Sequence, residues 1–152
     1  MSKIEIKNLF LVFGHEKQKA LRLLSEGVGK DEILKKTGCT VAVNNANLQI
    51  AEGEIFVIMG LSGSGKSTLL RCINRLIKPT SGQMVINGQD ISALSDKDMR
   101  NVRRKVLSMV FQNFGLLPHR TVLQNIAFGL ELQGVPRIER EEDALVAMEQ
   151  VG

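Results

Sequence analysis

The chain has 152 residues, of which 43% are hydrophobic and 24% are charged, as in an ordinary globular protein. No apolar run approaches the ~20 residues of a membrane-spanning helix, and "MSKIEIKNLF" lacks the layout of a secretory signal, so we expect a cytoplasmic protein. The net charge of +4 comes from scattered cations, and there is no Trp or Tyr to stack on bases. We therefore expect no nucleic-acid partner.

The hydrophobic pattern predicts strands and helices in an order typical of an α/β protein. Strands are predicted at 3–13, 41–50, 55–59, 83–91 (with a turn) and 106–111. Helices are predicted twice within 14–40, each closed by a glycine, and again at 66–77, 95–105, 122–132 and 138–151. The strands at 55–59 and 106–111 are uniformly apolar, which predicts burial on both faces in a mostly parallel sheet. The earlier strands predict an antiparallel part at the front of the chain.

A glycine-rich run follows the strand predicted at 55–59. Gly60, four residues, and then Gly65, Lys66 and Ser67 fit G-x-x-x-x-G-K-[ST], the Walker A phosphate loop. Glycine permits the backbone conformations that turn successive N–H groups toward a phosphate, and the following helix adds the positive end of its dipole. The residues predicted to bind nucleotide are Gly60, Leu61, Ser62, Gly63, Ser64, Gly65, Lys66, Ser67 and Thr68.

Within this loop, Lys66 is expected on the β- and γ-phosphates as a point charge, and Thr68 near the α-phosphate. The Ser67 hydroxyl is expected on Mg²⁺. Kinases, GTPases, helicases and transporters share the loop, so the loop alone leaves the use of the nucleotide open.

Three longer stretches resemble the ATP-binding subunit of ABC transporters. They are "ANLQIAEGEIFVIMG" (46–60), "LIKPTSGQMVINGQDIS" (76–92) and "VLSMVFQNFGLLPHRTVLQNIAFGLEL" (106–132). The resemblance covers nearly the whole chain and implies an α/β fold, a truncated P-loop NTPase (ABC ATPase) core with an N-terminal antiparallel β-subdomain and a helical insert. In this layout residues 1–152 are the N-terminal portion of one domain, with the insert at 14–40, Walker A at 60–68, the Q-loop at 112–118 and the start of the helical subdomain at 122–152.

The resemblance also implies further site residues. Gln112 would contact Mg²⁺ and the attacking water, which makes Lys66 and Gln112 the catalytic residues and Ser67 and Gln112 the metal ligands. Phe13 matches the aromatic residue that stacks on adenine, although Phe10, or a core role for Phe13, is an alternative. The stretch Phe114–Pro118 would contact a membrane subunit.

A narrower resemblance concerns the insert. The phrase "GVGKDEILKKTG" (27–38), together with the Walker A region, is similar to importers of glycine betaine, proline and other quaternary amines. The implied function is uptake of such solutes coupled to ATP binding and hydrolysis, with ATP and Mg²⁺ as cofactors. The implied partners are a transmembrane permease subunit, a second ATPase subunit in a homodimer and, indirectly, a solute-binding protein. The subunit would lie peripherally on the inner face of the cell membrane.

Several family features are absent from these 152 residues. There is no "LSGG" signature, no apolar strand ending in Asp–Glu and no later switch histidine. We expect the N-terminal part of a longer subunit, which alone binds nucleotide without turnover, because phosphoryl transfer to water needs several positioned groups at once. The alternatives are a soluble non-transport ABC protein, a P-loop small-molecule kinase and a non-catalytic nucleotide-binding regulatory module.

Overall fold

The computed structural model describes residues 2–112 and 115–151, except for the side chain of Ser2. The strands are β1 Ser2–Phe13, β2 Thr40–Ala51, β3 Ser81–Ile86 and β4 Gln89–Asp90. The helices are α1 Lys17–Ser25, α2 Lys30–Thr37, α3 Lys66–Ile73, α4 Asp96–Lys105, α5 Val122–Ile126, α6 Phe128–Gln133 and α7 Arg137–Val151. No described helix is long and apolar enough to span a bilayer. The chain divides into two compact units after Met99.

The first unit is built on one antiparallel sheet in the order β2-β1-β3-β4. The predicted strands at 3–13, 41–50 and 83–91 are confirmed, and so is the antiparallel part at the front of the chain. Central strand β1 pairs with β2 on one side and with β3 on the other. The sheet side chains Ile6, Leu9, Met84 and Ile86 are buried and form its core.

A bulge in β1 explains the imperfect alternation of its apolar residues. Ile6, Leu9 and Leu11 are all buried, although Ile6 and Leu9 are an odd number of positions apart. The pairing register shifts between Ile6 and Leu9, and Asn8 between them has a φ of 49°. Asparagine tolerates this left-handed conformation better than most residues do. The Asn8 N–H donates to the Asn47 side-chain oxygen at 2.8 Å, which fixes the bulge to β2.

The insert at 14–40 forms the two predicted helices, α1 and α2, between β1 and β2. A buried cluster joins them to the strands and consists of Val12, Ala20, Ile33, Cys39 and Val41, with Leu21, Leu23, Leu24 and Val28 packed against it. The apolar side chains of α1 thus face this cluster. Gly27 and Gly38 follow the two helices with φ of 82° and 65°, so the glycine ends are also confirmed.

Two predicted strands do not form among the described residues. The segments 55–59 and 106–111 have no strand assignment, and most of their apolar side chains are exposed, with Ile55 at 91%, Met59 at 86% and Val110 at 97%. The prediction of a mostly parallel sheet is likewise wrong for the described chain, whose strand pairs are all antiparallel. A strand needs a hydrogen-bonded neighbour, and neither segment has one in the described sheet.

The helix predicted at 66–77 is shorter in the structure, because α3 ends at Ile73 and Arg75 has a φ of 52°. The Arg75 side chain is only 9% exposed, and its guanidinium donates to the backbone oxygens of Ile91, Ser92 and Leu94. These charge-assisted bonds hold the segment before α4 against the end of α3.

The helices of the later chain start where the sequence indicates. The Asp98 N–H donates to the Ser95 hydroxyl at 3.2 Å, and that hydroxyl donates to the Asp98 carboxylate at 2.6 Å, so Ser95 caps α4. The helix predicted at 122–132 is divided into α5 and α6 at Ala127, and the last predicted helix is α7.

We predict that Gly82→Ala lowers the free energy of unfolding by about 2–5 kcal/mol. Gly82 has a φ of 109°, and an added Cβ would lie 2.5 Å from the Asn8 oxygen and 2.6 Å from the Leu9 Cα. Left-handed strain of about 1–2 kcal/mol then adds to an overpacking cost of about 1–3 kcal/mol. Gly88→Ala is the control, because Gly88 has a φ of 77° with open space around it. Equal losses in urea denaturation would contradict the steric explanation.

We predict that stability falls at alkaline pH through Cys72. Burial raises the pKa of this thiol from 9.0 to about 11. The unfolded thiol therefore ionises first, so this stabilisation is complete below about pH 9 and is lost as the pH rises toward about 11. The urea midpoint should be measured between pH 8 and about pH 11, a range that includes the interval between the two pKa values. The midpoint should fall more steeply with pH in the native sequence than in Cys72→Ala. Parallel curves would show that Cys72 does not contribute.

Candidate functional site

A cavity of about 380 Å³ lies in the first unit, where the glycine loop approaches the adjoining ends of β1 and β2. This volume is within the range of about 300–1,000 Å³ that is usual for small-molecule sites. Its lining residues are Phe13, Lys30, Thr40, Val41, Ala42, Gly63, Ser64, Gly65, Lys66, Ser67 and Thr68. The cavity thus brings together most of the predicted phosphate loop, the predicted adenine-stacking residue and the first residue of α2.

The glycine loop lies directly against β2. A Cβ on Gly65 would stand 2.6 Å from the Ala42 carbonyl oxygen, so only glycine permits this approach. Gly65 also has a φ of 93° and directly precedes α3, which begins at Lys66 with no side-chain cap. The first turn of an uncapped helix presents backbone N–H groups and a partial positive charge. The α3 terminus therefore adds anion-binding groups to the cavity.

The Lys66 side chain folds back over the loop. Its ammonium donates to the carbonyl oxygens of Gly60 at 2.8 Å and Leu61 at 2.7 Å, and more weakly to the Ser64 hydroxyl at 3.5 Å. These acceptors are neutral, and no carboxylate pairs with Lys66 in the described chain. Its positive charge is therefore not compensated within the loop.

The other predicted loop residues divide into two groups. Gly63, Ser67 and Thr68 line the cavity, whereas Gly60, Leu61 and Ser62 belong to the loop but not to the lining. The Ser67 side chain is exposed at the start of α3, so its hydroxyl is accessible to a ligand. The assignments of individual loop residues to nucleotide and metal contacts stay predictions.

The two candidate aromatic residues line different cavities. Phe13 is 44% exposed and lines the cavity beside the glycine loop. Phe10 instead lines a cavity of about 490 Å³ with Leu21 and Leu24 of α1. Because only Phe13 shares a cavity with the glycine loop, the geometry favours Phe13 over Phe10 as the base-stacking residue, which stays a prediction.

The predicted Q-loop belongs to the second unit. Gln112 is exposed in a turn after the irregular segment 106–111, and Asn113 and Phe114 lie outside the described residues. The part of the predicted membrane-subunit contact that includes Phe114 is therefore not described. The convergence of Gln112 with Ser67 on one Mg²⁺ stays a prediction. Over 2–112 and 115–151, no group of three His, Cys, Asp or Glu residues could hold a metal ion.

Asn125 fixes the backbone that follows the predicted Q-loop. Its side-chain oxygen accepts from the Leu117 N–H at 2.8 Å, and its amide nitrogen donates to the backbone oxygens of Arg120 at 3.2 Å and Thr121 at 3.0 Å. Thr121 and Gln124 form a capping box at the start of α5. The sequence predicted the start of this helix but not the role of Asn125. The only indication in the sequence is that an asparagine lies in the first turn of α5.

A small ion-pair network also joins this segment to α6 and α7. The Arg120 guanidinium donates twice to the Glu131 carboxylate, at 2.8 and 3.0 Å, and stacks over the Phe128 ring at 4.7 Å. Arg140 of α7 approaches the same carboxylate at 3.3 Å. The hydrogen bond from Arg120 lowers the pKa of Glu131, and the same bond raises the pKa of Arg120. The network was not expected from the sequence.

Comparison with known proteins identifies the family of the chain. Residues 43–152 match the sequence model of the family described as ABC transporter. The glycine betaine/proline betaine transport system ATP-binding protein ProV of Escherichia coli (strain K12) is 57% identical over 150 residues, which are 99% of this chain and 38% of that protein. The glycine betaine/carnitine transport ATP-binding protein GbuA of Listeria monocytogenes is 54% identical and is likewise covered to 38% of its length.

A solved structure is similar over most of the chain. It is the dimeric, post-hydrolysis state of the ATP-binding cassette MJ0796 bound to ADP and Pi, with a TM-score of 0.76 and 31% identity, covering 96% of this chain and 56% of that one. The P-loop ABC ATPase fold expected from the sequence is therefore confirmed. The chain spans about two fifths of the length of the curated relatives named here. On the family match and these likenesses, the chain belongs to the ABC transporter family.

Proposed function

We propose that this protein binds ATP in the cavity of its first unit. As part of the complete subunit, it would couple ATP binding and hydrolysis to the uptake of glycine betaine or proline-type solutes across the cell membrane. One observation carries the proposal: the aromatic face of Phe13, the uncompensated ammonium of Lys66 and the uncapped start of α3 belong to a single cavity. These groups match the base and the phosphate chain of a nucleotide.

Each part of the cavity suits one part of ATP. Phe13 offers a π-face for the adenine ring and no hydrogen-bonding group of its own. The α3 terminus and the glycine loop offer backbone N–H groups to the phosphates. The Lys66 ammonium can exchange its neutral carbonyl acceptors for phosphate oxygens, and charge-assisted bonds of that kind are about twice as strong as neutral ones. No carboxylate lines the cavity to repel the anion.

The residues at the α3 start also fit Mg²⁺. The Ser67 hydroxyl lines the cavity, and an oxygen ligand together with substrate phosphates is the usual way in which proteins hold this ion. When bound, Mg²⁺ neutralises phosphate charge and orients the transferring group. Gln112 is proposed as a further ligand and as the residue that contacts the attacking water. Lys66, Ser67 and Gln112 would bind and sense nucleotide, whereas turnover would need groups that these 152 residues lack.

The solute and the partners are inferred from the relatives. Both curated relatives named above are, by their names, transport ATP-binding proteins for glycine betaine together with proline betaine or carnitine. We infer the same solute class here, with a transmembrane permease subunit as direct partner and a solute-binding protein as indirect partner. A second ATPase subunit is inferred from the dimeric state of MJ0796. The subunit would then lie peripherally on the cytoplasmic face of the membrane.

We predict that Lys66→Ala weakens ATP binding by at least about tenfold. A hydrogen bond to a charged group contributes about 1.5–3 kcal/mol, and each 1.4 kcal/mol is a tenfold change in affinity. Isothermal titration calorimetry with ATP measures the effect, and Lys78→Ala is the control, because Lys78 is exposed and does not line the cavity. Unchanged affinity in Lys66→Ala would overturn the proposed site. In cells that depend on the transporter, the same substitution should abolish glycine betaine uptake.

We predict that Phe13→Ala weakens ATP binding by about tenfold, since stacking of a base on an aromatic side chain contributes about 1–3 kcal/mol. Phe10→Ala is the matched control from the same strand, and it should leave the affinity within about twofold because Phe10 lines the other cavity. Competition between ATP and tripolyphosphate separates the two parts of the site. Phe13→Ala should weaken the binding of ATP but not that of tripolyphosphate, which has no base. A larger loss of ATP affinity in Phe10→Ala than in Phe13→Ala would identify Phe10 as the base-stacking residue instead.

A further inference from the structure

We propose that Lys30, the first residue of α2, is a nucleotide-binding residue that the helical insert adds to the cavity. Its ammonium would be a second cationic contact to the phosphate chain, besides Lys66. This inference rests on the proposed ATP site. It adds a residue from outside the region that matches the family model, which begins at residue 43.

The placement of Lys30 is fixed by the packing of the insert. Ile33, one turn later in α2, is fully buried in the cluster that also contains Val12 and Val41. Val12 directly precedes Phe13, and Val41 lines the cavity itself. The same cluster therefore holds Phe13 and the start of α2 at one cavity, so that Lys30 is part of the lining and not merely an exposed residue nearby.

The charge of Lys30 is available to a ligand. Some cations of the insert are paired, Lys19 with Glu16 at 2.7 Å and Lys36 with Glu32 at 2.6 Å, whereas Lys17 and Lys35 have no ion pair among the described residues. No hydrogen bond or ion pair of Lys30 is found among the residues that the structure describes. Its ammonium can therefore turn toward an anion without breaking an existing contact.

The position of Lys30 is also unfavourable for the helix itself. The N-terminal end of a helix carries a partial positive charge, which favours acidic residues and disfavours lysine. The next two residues, Asp31 and Glu32, follow that preference, whereas Lys30 opposes it. A polyphosphate bound in the adjoining cavity would offset this unfavourable interaction.

The ligand group follows from the composition of the lining. Phe13 can account for the base, and the glycine loop with Lys66 accounts for phosphate contacts. A flexible, compact cation such as lysine suits a phosphate oxygen as a point charge. The chemical class that Lys30 would recognise is thus the polyphosphate of a nucleoside di- or triphosphate, and not the nucleoside.

The test is displacement of a fluorescent ATP analogue from the complete gene product by ATP, tripolyphosphate and adenosine. Lys30→Ala should weaken the binding of ATP and of tripolyphosphate by about two- to fivefold, as expected for a solvent-accessible charge contact. Lys30→Glu should weaken both affinities further. The dissociation constant of adenosine, corrected for the affinity of each variant for the analogue, should be the same in all variants. The differences should shrink in high salt, because salt screens exposed charges.

Lys35→Ala is the matched control. Lys35 is an exposed lysine of the same helix that does not line the cavity, and its removal should change none of the three constants. Equal behaviour of Lys30→Ala and Lys35→Ala, or an equal weakening of adenosine and ATP by Lys30→Ala, would overturn the inference. Failure of the native protein to bind ATP, or native affinity in Lys66→Ala, would instead overturn the proposed function.

Discussion

The contact between the glycine loop and β2 is the constraint on which the geometry of the site depends. Gly65 lies so close to the Ala42 carbonyl that any Cβ would overlap it. This approach places the start of α3 beside the ends of β1 and β2, and hence beside Phe13. The proposed phosphate-binding and base-stacking parts of the site are far apart in the sequence, and this backbone contact brings them to one cavity.

The helical insert has a structural and, in our proposal, a chemical role at that cavity. Its apolar residues complete a cluster around Val12 and Val41, which steadies the strand ends where the cavity forms. The same packing sets the direction of α2 and therefore the position of Lys30. A segment that lies outside the match to the family model can in this way modify a site whose main parts belong to the family.

The second unit shows how a loop of irregular backbone is held without a sheet. Asn125 satisfies backbone groups of the segment 117–121, and the Arg120–Glu131 pair joins that segment to α6. Arg140 extends the network to α7. These hydrogen bonds and ion pairs hold the segment 117–121 to α5, α6 and α7.

Local sequence patterns predicted the helix ends and the glycine loop. The spacing of Gly60, Gly65 and Lys66 is a local pattern, and so are the glycine ends of α1 and α2 and the cap at Ser95, because each depends on residues a few positions apart. The run of apolar residues at 55–59 predicted a strand that does not form. Strand formation depends on a neighbouring strand to pair with and not only on the segment's own residues.

Which distant side chains share a cavity depends on the tertiary structure. The sequence left Phe10 and Phe13 as alternatives, because the sequence of an irregular strand does not reveal which face of the sheet each side chain occupies. It also assigned no role to Lys30. The register shifts between Leu9 and Val12, and the packing of α2, set the lining of the cavity. Non-local contacts carry that information, because burial and close approach are properties of the folded chain.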